Sequence, residues 1–521
     1  MRIWPVDPAG AQEDYPIVSF SWLLLYTNYD DAKNLAAMKD SVNYGVGEGQ
    51  TFTDGLGYIP LPASVVEKAE TARWNKSNKA NSQHLTSLNA HSSFAFAVLC
   101  IAALACPQVR AAETASAAEA DAWFASWWNG KKFTGDWFGA RDVLEDRGIK
   151  FGGSWKMAYF GVADSQNGSG GYWAQDLIFN SNLDFAKFSG FEGLEGLEGF
   201  IEGRWRENRP NMGDPNELVD ASSMFNPSPW WSGVGWRMVT FGAQYTAPEL
   251  FGVEEWLVLK GGWLRPQREF VDQPLSKLFL NNAINSSKGI GGNIPFSSSY
   301  STWGGTITTK LVEWQYIKGG LFMAYPGGTS FNNNGLMFQG SANSSLNDLF
   351  FMIETGFTPE VGEAKLPGKY AFGSYYYGED SPRFGKSKYG FYWQADQMLY
   401  REPSSGDKLT YQGLQMFSLV TFAPPYNGTY PLYAQGGLVY EGLIPKRNED
   451  ELYGGLGVGT YDKTNSRNDD RNYTMVLEGG YRIRVNGWSF ASPYIQHLIQ
   501  PDGSQDVANA TILGVQVGIN F

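Results

Sequence analysis

Cysteine and histidine are scarce in this chain of 521 residues. It has two cysteines, Cys100 and Cys106, and both lie within one short apolar stretch. A mature protein without that stretch would have neither a disulfide framework nor a thiolate metal site. The three histidines, His84, His91 and His497, are too few and too widely separated to build a catalytic triad or a zinc site. We therefore expect neither an enzyme nor a cofactor.

Long hydrophobic runs are also missing. A membrane-spanning helix needs about 18 or more consecutive apolar residues, and the sequence contains no such stretch. The longest apolar run, Phe94–Ala105, follows Lys76 and Lys79 and precedes small residues, which is typical of a secretory signal peptide. We predict cleavage after Ala111. A lipoprotein signal that ends at Cys106 is a less well matched alternative.

Positive charge is in deficit, with 40 Lys and Arg against 53 Asp and Glu. A net charge of −13 argues against a nucleic-acid partner. Aromatic residues are abundant instead, with 19 Trp, 28 Tyr and 33 Phe, yet the mean hydropathy is only −0.32. Strands that alternate lipid-facing and lumen-facing residues produce this combination, because each polar residue offsets an apolar neighbour.

The end of the chain alternates strictly between apolar residues and small or polar ones. This period of two is typical of a half-buried strand. An edge strand of a soluble β protein is one interpretation, and the closing strand of an outer-membrane barrel, with its terminal aromatic residue, is the other. The apolar positions are Leu513, Val515, Val517, Ile519 and Phe521.

From residue 150 to 521 the chain is a succession of strand-like runs separated by turn residues. We predict an all-β fold, a transmembrane antiparallel β-barrel of about sixteen strands. The longest insertions, 207–235 and 266–301, follow the third and fifth strands, so both lie on one side, by convention the extracellular one. The strands start near residues 150, 174, 199, 236, 256, 302, 314, 349, 369, 388, 410, 431, 452, 472, 490 and 510.

Strand parity assigns the charged residues to the face opposite the bulky apolar ones. In the third strand, for example, Ile201 and Trp205 point outward if Arg204 points into the barrel. In a soluble sandwich the same charges would form the solvated face. Arg237 shares parity with Val239 and is therefore predicted to be a snorkelling residue at the membrane interface. The charged residues assigned to the lumen are Glu202, Arg204, Arg206, Asp396, Glu478, Arg482 and Arg484.

Residues 112–149 are predicted to form a linker and one short periplasmic helix ahead of the first strand. The helix falls in FTGDWFGARDVLEDRGI, residues 133–149, with Asp136 as its N-cap. Gly148 fits the left-handed position just past a helix end.

The region before the signal has a different origin. Tyr15-Pro16-Ile17, Glu48-Gly49-Gln50 and the run from Gly57 to Pro62 resemble, in order and spacing, the C-terminal end of a periplasmic phosphate-binding protein of ABC importers. The resemblance covers residues 15–74 and lacks the phosphate-cradling turns of such proteins. We interpret 1–75 as an unrelated α/β remnant, and 76–111 as a linker with an internal signal peptide.

Four motifs resemble the carbohydrate-selective porin family of Gram-negative outer membranes, the OprB type, over about residues 133–521. The resemblance implies a sixteen-stranded outer-membrane barrel that passes glucose and related sugars by facilitated diffusion. It also implies that the barrel assembly machinery engages Phe521, and it leaves a monomer and a homotrimer open. The motifs are GDWFGAR (135–141), IEGRWREN (201–208), LRPQREFVDQPLSKLFLNNAI (264–284) and YIQHLIQPDG (494–503).

The charged residues assigned to the lumen suit a sugar. Guanidinium and carboxylate groups can replace the hydration shell of a neutral polyol with several oriented hydrogen bonds. Conduction requires these contacts to be weak and multiple, so that the solute also leaves. An anion-selective, phosphate-selective or general diffusion porin is the alternative. The carboxylates interleaved with the arginines weigh against the anion pore.

Overall fold

In the computed structural model, the described part of the chain lies between Phe124 and Phe521. The predictions for residues 1–75 and 76–111 therefore lie outside the described residues, as does the start of the 112–149 linker. The described residues are 124–137, 139–210, 218–221, 224–230, 235–285, 293, 301–323, 349–377, 388–403, 411–424, 430–463 and 470–521.

The strands of the described residues form one antiparallel sheet that closes on itself. The two-residue strand Glu360–Val361 pairs with Leu366 and Pro367 and only extends one hairpin. The other sixteen strands form the barrel wall, as the sequence predicts. The largest error in a predicted start is at β2, which begins at Gly170 rather than near 174. The wall strands are β1 (Ile149–Asp164), β2 (Gly170–Asp184), β3 (Leu197–Pro210), β4 (Gly235–Thr246), β5 (Leu257–Leu264), β6 (Thr302–Val312), β7 (Gln315–Met323), β8 (Leu349–Phe357), β9 (Leu366–Tyr377), β10 (Lys388–Arg401), β11 (Gly413–Phe422), β12 (Leu432–Glu441), β13 (Glu451–Thr460), β14 (Tyr473–Asn486), β15 (Ser489–Ile499) and β16 (Ala510–Asn520).

The barrel closes where β1 pairs with both β2 and β16. The register at this seam places Trp155 opposite Ile519 on β16 and opposite Leu177 on β2. Beyond the last strand, the N–H of Phe521 donates to the carbonyl of Gly153 at 3.1 Å. The terminal aromatic residue therefore completes the seam.

The two faces of the wall differ as the parity predicts. On β10, Phe391 is 50% exposed on the outside, whereas Gln394 is fully buried on the inside. On β14, Leu477 and Val485 are exposed and Glu478 is buried. An outward apolar band is what a lipid-facing wall requires.

Short helices occur before the barrel and in its connections. Helix α1 lies inside the predicted 133–149, and Gly148 has the expected left-handed conformation, with a φ of 84°. The predicted N-cap is wrong, because Gly139 caps the helix. Two left-handed residues, Trp137 and Gly139, separate Asp136 from the first turn. The helices whose two ends both lie within the described residues are α1 (Ala140–Asp146), α2 (Phe185–Ser189), α3 (Pro266–Phe270) and α4 (Asn282–Asn285), with 3-10 turns at Glu192–Leu194 and Leu275–Leu278.

None of the helices in the described residues is long and apolar enough to cross a membrane.

The longest described connection follows β5, as predicted, and folds into the barrel. We name its residues 265–285 the crossing segment. Phe279, on this segment, is fully buried against β12 and β13. A Cβ atom added to Gly455 of β13 would lie 2.8 Å from the Phe279 ring, so glycine is required for this close approach. The β3–β4 connection also packs inward, where the carbonyl of Asn226 accepts the N–H of Asn282 at 2.9 Å.

Candidate pore constriction

Charged side chains meet on the inner face of the first strands. The register places Lys156 of β1 opposite Asp176 of β2, and Asp176 opposite Arg206 of β3. The next inward position pairs Arg204 with Arg237 of β4. The pleat thus brings charges from four strands onto one patch of the inner wall.

Arg237 corrects a prediction from the sequence. The register between β3 and β4 shifts between Glu202 and Gly203, which pair with Thr240 and Met238 and leave Val239 as the extra residue. Such a bulge reverses the face of the residues that precede it. Arg237 is therefore inside, with 5% of its surface exposed, and is not a snorkelling interface residue.

Two carboxylates neutralise part of this charge. Asp176 Oδ1 lies 2.9 Å from Arg206 Nε and 3.2 Å from Arg204 Nε, so it serves two guanidinium groups. Glu202 lies 3.8 Å from Nη2 of Arg204. All of these side chains are buried, where ionic contacts are screened less than at the surface, and the contact between Arg206 and Asp176 is also a hydrogen bond.

The crossing segment meets the wall at the same patch. Arg268 Nη1 lies 2.6 Å from Glu202 Oε2, and Lys260 of β5 bonds Glu269 of the segment at 2.8 Å. Arg265 lies at the start of the segment, close to Arg204. Burial, together with the nearby charges of Arg204 and Arg268, lowers the pKa of Arg265 to about 9, although Glu202 acts in the opposite direction. Arg265 is therefore still positively charged at neutral pH.

Across the lumen the crossing segment is held by neutral groups. Gln273 donates its Nε2 to the carbonyl of Ser418 on β11 at 2.8 Å. Gln394 on β10 donates to the carbonyl of Phe270 at 2.8 Å. Asp396, one of the predicted lumen residues, is half-buried on β10 and stands opposite Lys369 of β9. It faces the lumen away from the arginines of β3.

Glu478 holds the far end of the crossing segment. Its two carboxylate oxygens accept the main-chain N–H groups of Leu280 and Asn281, each at 2.7 Å. The side chain is only 3% exposed. The sequence suggests a counter-charge for the pore arginines, whereas these bonds use both oxygens on the segment.

Arg482 and Arg484 form a separate group on β14 with Glu451 of β13. Their guanidinium groups lie 3.5 and 3.9 Å from Glu451 Oε2. The Arg482 guanidinium also stacks 4.5 Å above the ring of Phe490. The seven predicted residues therefore divide into one cluster on β3, one anchor, one pair on β14 and one residue on the opposite wall.

Sequence reasoning missed several members of the patch. The site residues predicted from the sequence do not include Lys156, Arg237, Arg265 or Arg268, although the motif LRPQREF contains two of them. Clustering of arginines in that motif was the available signal, because a loop with buried charges needs partners. The role of Arg237 depends on a bulge, which strand parity alone cannot reveal.

The sequence profile of the carbohydrate-selective porins, OprB family, matches residues 175–521. The chain belongs to this family. Porin B of Pseudomonas aeruginosa is 25% identical over 445 residues, which cover 75% of this chain and 92% of that protein.

Solved structures agree with this fold. The high-pH structure of Pseudomonas putida OprB superposes with a TM-score of 0.64 at 22% identity and covers 75% of this chain and 99% of its own. The low-pH structure of the same protein gives a TM-score of 0.50 at 18% identity, with the same coverage.

Membership of the OprB family sets the class of the protein. The family consists of outer-membrane β-barrel channels and not of enzymes. The location and the absence of an enzymatic role predicted from the sequence are therefore confirmed.

Proposed function

We propose that this OprB-family porin passes neutral sugars, glucose and related ones, by facilitated diffusion between the crossing segment and the wall of β1 to β4. One contact carries the proposal: the ion pair at 2.6 Å between Arg268 of the segment and Glu202 of the wall. It joins the segment to the wall beside Asp176, Arg204 and Arg206, so that charged groups from both elements lie together at this point.

The chemistry of this surface matches the hydroxyls of a sugar. Each guanidinium offers up to five donors in a fixed plane, and each carboxylate offers only acceptors. A hydroxyl is both donor and acceptor, so neighbouring hydroxyls can bridge Arg204 and Glu202. The fixed ion pairs keep these groups in place while the solute exchanges water for protein contacts, and several weak contacts allow it to leave.

The predicted site residues take different roles in this proposal. Glu202, Arg204 and Arg206 contact the sugar at the gap. Arg482 and Arg484 extend the polar path along β14, and Asp396 lines the opposite wall. Glu478 positions the crossing segment and does not contact the sugar.

We also infer that the barrel assembly machinery recognises Phe521. Support comes from its place at the seam, where it is the last residue to pair with β1. A monomer and a homotrimer are both compatible with the wall.

The experiment is single-channel recording in planar bilayers, with glucose, maltose or phosphate added stepwise. Glucose and maltose should close the ion current in a saturable way. Arg206→Gln should weaken this closure, because Asp176 loses one of its two partners and Arg204 is left less fixed. Arg471→Gln is the matched control, since Arg471 pairs with Asp502 outside the strands. Closure by phosphate but not by sugar would overturn the proposal.

A further inference from the structure

Among the described residues, the inner patch holds more positive than negative charge. We name Lys156, Arg204, Arg206, Arg237 and Arg265 the basic cluster. The carboxylates that act on it within the described residues are Asp176 and Glu202. Lys156 lies within electrostatic range of Asp176, and also of the cations Arg204 and Arg482.

Both carboxylates are already engaged. Asp176 bonds Arg206 at 2.9 Å and lies 3.2 Å from Arg204. Glu202 holds Arg268 at 2.6 Å and Arg204 at 3.8 Å. Glu478, which strand parity offers as another counter-charge, gives both oxygens to main-chain N–H groups. The interleaved carboxylates therefore pair with Arg204 and Arg206 and leave Arg237 without an ion pair among the described residues.

Arg237 is poorly compensated within the described residues. Only 5% of the surface of Arg237 is exposed. Its Nε and Nη2 atoms make no hydrogen bond to any described residue. Its electrostatic neighbours are Arg206, Arg204 and Arg265, with Asp176 as the carboxylate among them.

This arrangement is costly unless something else is bound. Like charges directly opposite each other on neighbouring strands destabilise a sheet, and Arg237 stands opposite Arg204. A buried charge without a partner is among the most unfavourable groups in a protein. An anionic group between these guanidinium groups would remove both penalties.

We propose that Arg237, with Arg204 and Arg206, forms a subsite for the anionic group of an acidic sugar. The group is the carboxylate of a uronic or aldonic acid, or the phosphate of a sugar phosphate. Two guanidinium groups can each bind such a group through two parallel hydrogen bonds. The neutral hydroxyls of the same solute then meet Glu202 and Arg268.

The subsite deepens the proposed function, because it rests on a carbohydrate passing the same gap. It adds a second substrate class that needs Arg237, whereas neutral sugars need the ion-paired residues of β3 and the crossing segment. The two classes can therefore be separated by substitution.

The test is current block in planar bilayers at pH 7 and low ionic strength, with glucose, glucuronate, glucose 6-phosphate and inorganic phosphate as separate probes. In the unmodified protein, glucuronate should reach half-block at a concentration at least about tenfold lower than glucose, since hydrogen bonds to a charged group are worth a factor of this size or more. Comparison of glucuronate with glucose 6-phosphate shows which anionic group is preferred. Inorganic phosphate shows whether the sugar ring is needed.

Arg237→Gln should remove this preference, so that glucose and glucuronate reach half-block at about the same concentration. Arg237→Lys keeps the positive charge but lacks the planar guanidinium group with its parallel donors, so it should retain part of the preference for glucuronate. Arg471→Gln should leave the half-block concentrations of glucose and glucuronate unchanged. The change of gel mobility on heating verifies that each variant is folded. If Arg237→Gln does not fold, the result with Arg237→Lys tests the subsite instead.

Equal half-block by glucose and glucuronate in the unmodified protein would overturn the subsite and leave the sugar pore standing. Equal weakening of the block by glucose and the block by glucuronate in a folded Arg237 variant would also overturn the subsite. Absence of block by glucose would instead overturn the proposed function. The two failures are therefore distinguishable.

Discussion

Replacement of Glu478 by glutamine should loosen the crossing segment and change the pore without unfolding the barrel. Both Glu478 oxygens accept main-chain N–H groups of the segment, from Leu280 and Asn281, at 2.7 Å. Glutamine keeps one acceptor oxygen and turns an N–H₂ group toward the second main-chain donor. One hydrogen bond is lost, and one buried donor is left facing another.

The size of the effect follows from these two contacts. A hydrogen bond to a charged group contributes about 1.5–3 kcal/mol, and a buried unsatisfied donor costs about 1–3 kcal/mol. A neutral amide is easier to bury than a carboxylate, which offsets part of this loss. We expect a net weakening of about 2 kcal/mol, which corresponds to roughly a thirtyfold shift toward the detached segment.

Two assays detect this shift. Hydrogen exchange followed by mass spectrometry should show faster exchange at Leu280 and Asn281, while the wall strands stay protected. Single-channel recordings should show larger current fluctuations and weaker block by glucose. Glu360→Gln is the control, because Glu360 is exposed in the short strand Glu360–Val361 and lies 3.9 Å from Lys365. Unchanged exchange of the segment together with an unchanged current would refute the anchoring role.

Two further substitutions test the packing and the electrostatics of the barrel. Gly455→Val should displace the crossing segment, because a Cβ atom there would lie 2.8 Å from the Phe279 ring. A protease added to the folded variant should therefore cleave within 265–285. Resistance to the protease equal to that of the unmodified protein would contradict the close packing. Asp450→Asn should lower the melting temperature at pH 7. Burial alone raises the pKa of Asp450, but hydrogen bonds from Arg447, Tyr481 and the N–H of Arg484 outweigh it and lower that pKa below its usual value. The stabilisation by a group of this kind is complete above its unfolded pKa, near 3.9, and is lost as the pH falls through the folded pKa. The melting difference should therefore shrink below about pH 4, and a difference that stays constant down to pH 3 would contradict the assignment.

Much of the fold is readable from the sequence, because its signals are local. Alternation with a period of two marks each strand, and turn residues mark the ends. The outward row that includes Phe391 and Leu477 follows from this alternation alone. The position of the long insertion after β5 follows from composition in the same way.

The site is less predictable, because it depends on contacts between distant parts of the chain. Glu478 reads as a lumen charge, but its partner is a main-chain N–H 198 residues away. Arg237 changes face because one residue, Val239, is extra in the register with β3. Neither effect leaves a signal in the local pattern of a single sequence.

We propose above that a neutral sugar passes between the crossing segment and the wall of β1 to β4. The most direct measurement is the rate of radiolabelled glucose entry into proteoliposomes, recorded against glucose concentration. We expect the rate of entry to saturate with glucose concentration. In the Arg206→Gln variant saturation should move to higher concentration, whereas the Arg471→Gln variant should behave like the unmodified protein. Entry that rises linearly with concentration and is the same in all three proteins would contradict the proposal.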